Sequence, residues 1–105
     1  MKHKPVAALP EVAGDLLAAV AHYQSWSADG KERVLQKYAE TVAGIAANPD
    51  AFTRKLGQIQ RAVMKQSYYV VYFLQQPQFT LILAVLDGRR SPVEIRRIIS
   101  GRKGN

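Results

Sequence analysis

Tyr68-Tyr69-Val70-Val71-Tyr72-Phe73-Leu74 is the stretch on which the fold turns. β-Branched and aromatic residues dominate it, and they fill both parities of an extended chain, so the segment predicts a strand that needs cover on both faces. Phe79-Thr80-Leu81-Ile82-Leu83-Ala84-Val85-Leu86 repeats that pattern beyond Gln75-Gln76-Pro77-Gln78, and Gln58 to Lys65 precedes it across Gln66-Ser67. Three strands joined by short turns predict an antiparallel meander running to Asp87.

Upstream the period is helical. From Pro10 to about Trp26, Val12, Leu16, Ala19, Val20 and Tyr23 mark one face, with Pro10 in the first turn and Glu11 and Asp15 near the positive end. Val34, Tyr38, Val42 and Ile45 mark a second helix that Asn48-Pro49 closes. Ser27-Ala28-Asp29-Gly30 joins the two as an antiparallel hairpin. Before them, Lys4-Pro5-Val6-Ala7-Ala8-Leu9 reads as a short edge strand, where a proline costs no needed donor.

Downstream, Ser91-Pro92-Val93-Glu94 is a capping box with proline at the first helical position. Ile95, Ile98 and Ile99 then face inward, and the tail from Gly101 is expected to fray. The sum is an α+β domain over residues 1–105: a helical hairpin on a four-stranded, mostly antiparallel sheet with a short C-terminal helix, in the order β-α-α-β-β-β-α. The hairpin covers one sheet face; the C-terminal helix is short for the other. An apolar surface around Tyr68 and Tyr72 is therefore expected to await a partner.

Composition narrows the chemistry. Of 105 residues, 48% are hydrophobic and 22% charged, a globular balance. No apolar run is long enough to span a bilayer and the Met-Lys-His-Lys start has no signal-peptide character, so a soluble cytoplasmic protein is expected. The chain has no cysteine and only two histidines, His3 and His22, outside any ligand spacing; no metal or other cofactor is expected. Phosphate-binding glycine loops, HExxH and GxSxG are absent.

The net charge of +7 lies wholly in the second half: residues 54–105 carry ten Lys/Arg against two Asp/Glu, residues 1–53 five against six. Such a field favours a polyanion or an acidic protein partner. Within it, Arg61 and Lys65 share a parity on the first meander strand and are expected to form a positive row, while Arg89-Arg90 end the last strand. Fixed cations of this kind can hold a phosphate and stabilise phosphoryl-transfer charge, and interleaved tyrosines can stack on bases. The same row equally suits a solvated strand edge protected from aggregation by charge. Only Asp87 and Glu94 offer carboxylates there, the first read as an ion-pair or turn residue, the second as a cap.

The order strand, helical hairpin closing at Asn48-Pro49, "IQRAVMKQSYYVVYF" and "LILAVLDGRRSP" resembles the RelE/ParE superfamily of bacterial type II toxins, over about Val6 to Ile99. The resemblance implies a toxin neutralised by a cognate antitoxin, with Tyr68, Tyr72, Ile95 and Ile98 as antitoxin-binding candidates. RelE-like members are ribosome-dependent mRNA endonucleases, for which Arg61, Lys65 and Arg89 would be the catalytic candidates. They typically carry an arginine where this chain has Tyr69, and a catalytic aromatic or base near the C-terminus, whereas no His or Tyr follows Tyr72. ParE-like members poison DNA gyrase and frequently show the Gly-Arg-Arg ending. That branch is favoured, with Arg89, Arg90, Arg61 and Tyr69 as target-binding candidates. An inactive member that only binds its antitoxin is the third reading.

Overall fold

The computed structural model describes residues 4–103. Strand β1 (Val6–Ala8) leads into helices α1 (Glu11–Gln24) and α2 (Gly30–Ala47), followed by a single 3-10 turn at Pro49–Ala51. Strands β2 (Arg54–Leu56), β3 (Ile59–Val63), β4 (Tyr69–Gln75) and β5 (Thr80–Asp87) precede helix α3 (Pro92–Lys103). The sheet order is β1-β5-β4-β3-β2, with β1 parallel to β5 and every other pair antiparallel.

The sheet therefore has five strands, not the expected four. The additional strand, β2, is three residues long, with Arg54 and Lys55 exposed and only Leu56 partly buried, so it has too little apolar pattern to announce itself. Its signal is Gly57, the first central residue of the two-residue turn into β3, with φ of 61°. Glycine occupies that position in a type II′ hairpin turn because a side chain is disfavoured at positive φ.

Alternation along β3 to β5 sorts the core into two layers. Ala62, Val71, Phe73, Ile82 and Val85 meet Val12, Ala19 and Val20 of α1 and Val34 and Ile45 of α2 on one face. Val70, Tyr72, Leu83 and Leu86 meet Ile95 and Ile99 of α3 on the other. Both-parity hydrophobicity in β4 and β5 is explained by these two covers. Three turns of helix suffice for the second because they lie over the two central strands, leaving Val63 of β3 56% exposed beyond them. Tyr72 and Ile95 are 2% and 6% exposed, so these two residues are core rather than a waiting apolar surface.

The register of β4 against β5 shifts between Tyr72, opposite Ala84, and Phe73, opposite Ile82, leaving Leu83 as the extra residue of a bulge. On its other side β5 is paired with β1 only from Thr80 to Ile82. Beyond that point its edge is closed by side chains. Asp15 of α1 accepts the Val85 amide at 2.9 Å, and Arg102 of α3 donates to the Leu83 carbonyl at 3.1 Å. Arg102 also grips Asp15 through two contacts, 2.6 and 2.7 Å, with side chains only 15% and 9% exposed. The expected fraying from Gly101 is thereby corrected for Arg102, which is anchored across the edge of the sheet. Gly104 and Asn105 lie outside the described residues.

Candidate functional site

The end of β5 forms the rim of the sheet. Asp87 turns the chain: its carboxylate accepts the Arg89 amide at 2.9 Å and the Arg89 guanidinium at 3.0 and 2.7 Å. This pairing pulls the Asp87 carboxyl from its ordinary value down to about 2, so it is ionised at any physiological pH. Arg89 is held charged by the same partner, and its guanidinium lies 3.9 Å from the centre of the Tyr68 ring. Next along, Arg90 reaches Glu94 at 2.5 Å, and Ser91 caps α3 by accepting the Glu94 amide at 3.1 Å. The capping box is thus half realised, because the Glu94 carboxylate serves Arg90. Both arginines remain at the surface, 57% and 42% exposed, in fixed poses.

Gly88, between Asp87 and Arg89, sits under close confinement. Its amide donates to the Tyr68 carbonyl at 2.7 Å, and a β-carbon there would come within 2.8 Å of Val70 Cγ2. Only glycine lets the rim fold down onto β4 at this point.

On the hairpin face the rim continues into aromatics. Tyr69 lies 5.9 Å from Tyr23 and 6.3 Å from His22, ring centre to ring centre, and His22 lies 6.1 Å from Trp26, which is 79% exposed. Burial and then the Asp87 charge raise the Tyr69 phenol above its ordinary value, so it stays neutral and able to donate. Sequence reasoning did not place His22, Tyr23 and Trp26 here, since helical spacing marks which residues share a face but not which strand end that face meets.

The other expected site residues disperse. Lys65 is not in a row with Arg61: β3 ends at Val63, Gln66 takes φ of 57°, and Lys65 lies in the turn, its carbonyl accepting from Lys37 at 2.9 Å. Arg61 is on the α3 face opposite Tyr72, where it joins Lys55 and Arg90 around a cleft of about 180 Å³. Tyr68 is 59% exposed and Ile98 is half-buried at the edge of α3, whereas Tyr72 lies beneath that helix and Ile95 is on its buried face. The positive rim is therefore Arg89 and Arg90 with Arg61 behind them, without Lys65.

Among the described residues, no group of His, Asp and Glu side chains could hold a metal ion, and no helix is long and apolar enough to cross a membrane.

Comparison with known proteins bears on this geometry. Residues 6–92 match the family described as the ParE toxin of type II toxin-antitoxin system, parDE. Among solved structures, a chain of a chromosomal ParDE TA system from P. aeruginosa superposes with a TM-score of 0.65 at 17% identity, covering 79% of this chain and 94% of that one. No curated protein matches the sequence.

Proposed function

The chain belongs to the ParE toxin family of type II toxin–antitoxin systems, and on that premise we propose that it acts in the cytoplasm, arresting bacterial growth by poisoning DNA gyrase until a cognate antitoxin binds it. The observation that carries this reading is the pose of the rim arginines. Arg89 and Arg90 are exposed, each held by its own carboxylate, with Tyr68 beneath the Arg89 guanidinium and Tyr69 near both charges. Arginine and aromatic residues in a rigid setting are the side chains that dominate binding energy at protein interfaces. Arg61 is left out of this surface because it faces α3.

A second reading, mRNA cleavage, has one observation in its favour. His22 brings an imidazole into the patch that holds Tyr69 and the rim, a side chain able to serve as a general acid or base. Against it, the Arg89 guanidinium is already bound to Asp87 through two contacts, which leaves it less able to take up developing phosphoryl charge.

Expression of the chain alone should arrest growth, and the purified protein should block gyrase supercoiling while leaving mRNA on translating ribosomes intact. Cleaved mRNA with normal supercoiling would reverse the assignment in favour of the second reading. Normal growth at verified soluble expression would leave only antitoxin binding. Replacing both Arg89 and Arg90 by alanine should abolish the arrest with little change in thermal midpoint, since exposed charge pairs contribute little to stability.

A further inference from the structure

The cleft on the α3 face has a composition that the rim does not explain. Its floor is apolar, from Leu56 of β2 and Pro92 and Ile95 of α3, and its walls carry Lys55, Arg61 and Arg90. The Tyr72 ring lies below. Its hydroxyl has no hydrogen-bond partner among the described residues and opens into the cleft, since no described polar side-chain atom is both buried and unpartnered. Burial raises the Tyr72 phenol, with the nearby Arg61 opposing, and the neutral hydroxyl remains a donor. Gly88 borders the cleft, where a β-carbon would make an ordinary contact with Arg61 Nη2 at 3.8 Å.

Arg61 is the telling residue. It is partly buried, yet the ion pairs among the described residues are Asp87 with Arg89, Glu94 with Arg90 and Asp15 with Arg102. Among the described residues, neither Arg61 nor Lys55 has a carboxylate partner. A guanidinium taken partly out of water without an anion is held at a cost, and its planar fork fits a carboxylate or phosphate through paired hydrogen bonds.

The rest of the lining chooses between these. A nucleic acid would need an aromatic face on which to stack a base. The Tyr72 ring is buried, and the exposed Tyr68 ring, stacked under Arg89, does not line the cleft. A peptide carboxylate next to an apolar side chain satisfies both floor and walls. We propose that this cleft is a docking site for an acidic segment of the antitoxin, taking a carboxylate on Arg61 and Lys55 and an adjacent apolar side chain on Leu56 and Pro92. The identity of the partner rests on the toxin reading; the chemistry of the cleft does not. The surface is separate from the aromatic rim, with Arg90 standing between the two.

The test is an NMR titration of the isotope-labelled full chain with three probes: a short peptide alternating leucine and glutamate, its leucine–glutamine counterpart, and a short single-stranded oligodeoxynucleotide. The acidic peptide should move the Gly88 amide and Arg61 Nε–H resonances saturably. Its glutamine counterpart should bind at least tenfold more weakly. Arg61→Gln should weaken the acidic peptide by about tenfold, the scale of a charge-assisted hydrogen bond, whereas Arg97→Gln, which removes the same charge from the exposed face of α3, should change it less than twofold. If Arg61→Gln fails to fold, Lys55→Gln on the exposed strand makes the same comparison.

Equal weakening by Arg97→Gln, equal binding of the glutamine peptide, or tighter binding of the oligonucleotide at the same resonances would each overturn the proposal. Growth arrest is read separately. Arrest without peptide binding overturns the cleft alone; peptide binding without arrest overturns the toxin reading alone.

Discussion

The chain contains two aspartate–arginine pairs that are alike in chemistry and opposite in setting. Asp87 and Arg89 are two residues apart, lie at the rim, and leave the guanidinium 57% exposed. Asp15 and Arg102 are 87 residues apart, join α1 to α3, and are nearly sealed from water. The first orders a surface and contributes little to stability, because water and salt screen it. The second completes the fold: it satisfies a carbonyl and an amide of β5 that β1 is too short to reach. Two pairs of the same residue types thus do different work, and burial decides which.

The largest expected effect strikes the buried pair. Arg102→Ala leaves the Asp15 carboxylate in a nearly closed site and the Leu83 carbonyl without its partner, and should cost about 3 kcal/mol in denaturant unfolding. Replacing both members with apolar residues, Asp15→Leu with Arg102→Met, should recover part of that loss but not all of it. The Val85 amide and Leu83 carbonyl would still lack partners. Full recovery would mean that the edge of β5 finds water, and the contrast between the two pairs would weaken.

Gly88→Ala comes next. It forces a methyl group against Val70 beneath the rim and should cost about 1–3 kcal/mol by overpacking, read as a lower midpoint in denaturant. Ser91→Ala removes the cap of α3 and should cost about 1 kcal/mol. Both touch the structure that carries the exposed pair without touching the pair itself. A loss of growth arrest matching that of the double arginine variant would show that pose, and not charge alone, matters at the rim.

The smallest effect belongs to Asp87 itself. Because its carboxyl is depressed in the folded chain from an ordinary value of 3.8 to about 2, its contribution is complete above pH 3.8 and is lost as pH falls toward 2. The difference in thermal midpoint between the wild-type chain and Asp87→Asn should therefore be small and constant above pH 4 and shrink through that window. A difference that grew on acidification would contradict the assigned ion pair.

Much of this architecture was legible from one dimension. The helical hairpin, the meander, the capped last helix and the turn at Asp87 follow from local period and local capping chemistry. β2 was missed because Arg54-Lys55-Leu56 has one apolar residue to bury and gains its strand identity from pairing with β3. Parity alone puts Lys65 beside Arg61, but the strand ends at Val63. Tyr72 and Ile95 read as partner-facing in the sequence but are core, because pattern alone does not measure how much of a face a short helix covers.

The sequence by itself determined every element but β2, their order, the excess positive charge of the second half and the delivery of two arginines to a strand end, since each depends on neighbours in the chain. Tertiary structure alone decided that Arg102 closes the sheet edge with Asp15, that Arg61 enters a cleft without a carboxylate, and that His22, Tyr23 and Trp26 join Tyr69 at the rim. Those outcomes depend on distances between residues far apart in sequence. They are fixed only when both faces of β4 and β5 have been buried and the helices have taken their places against them.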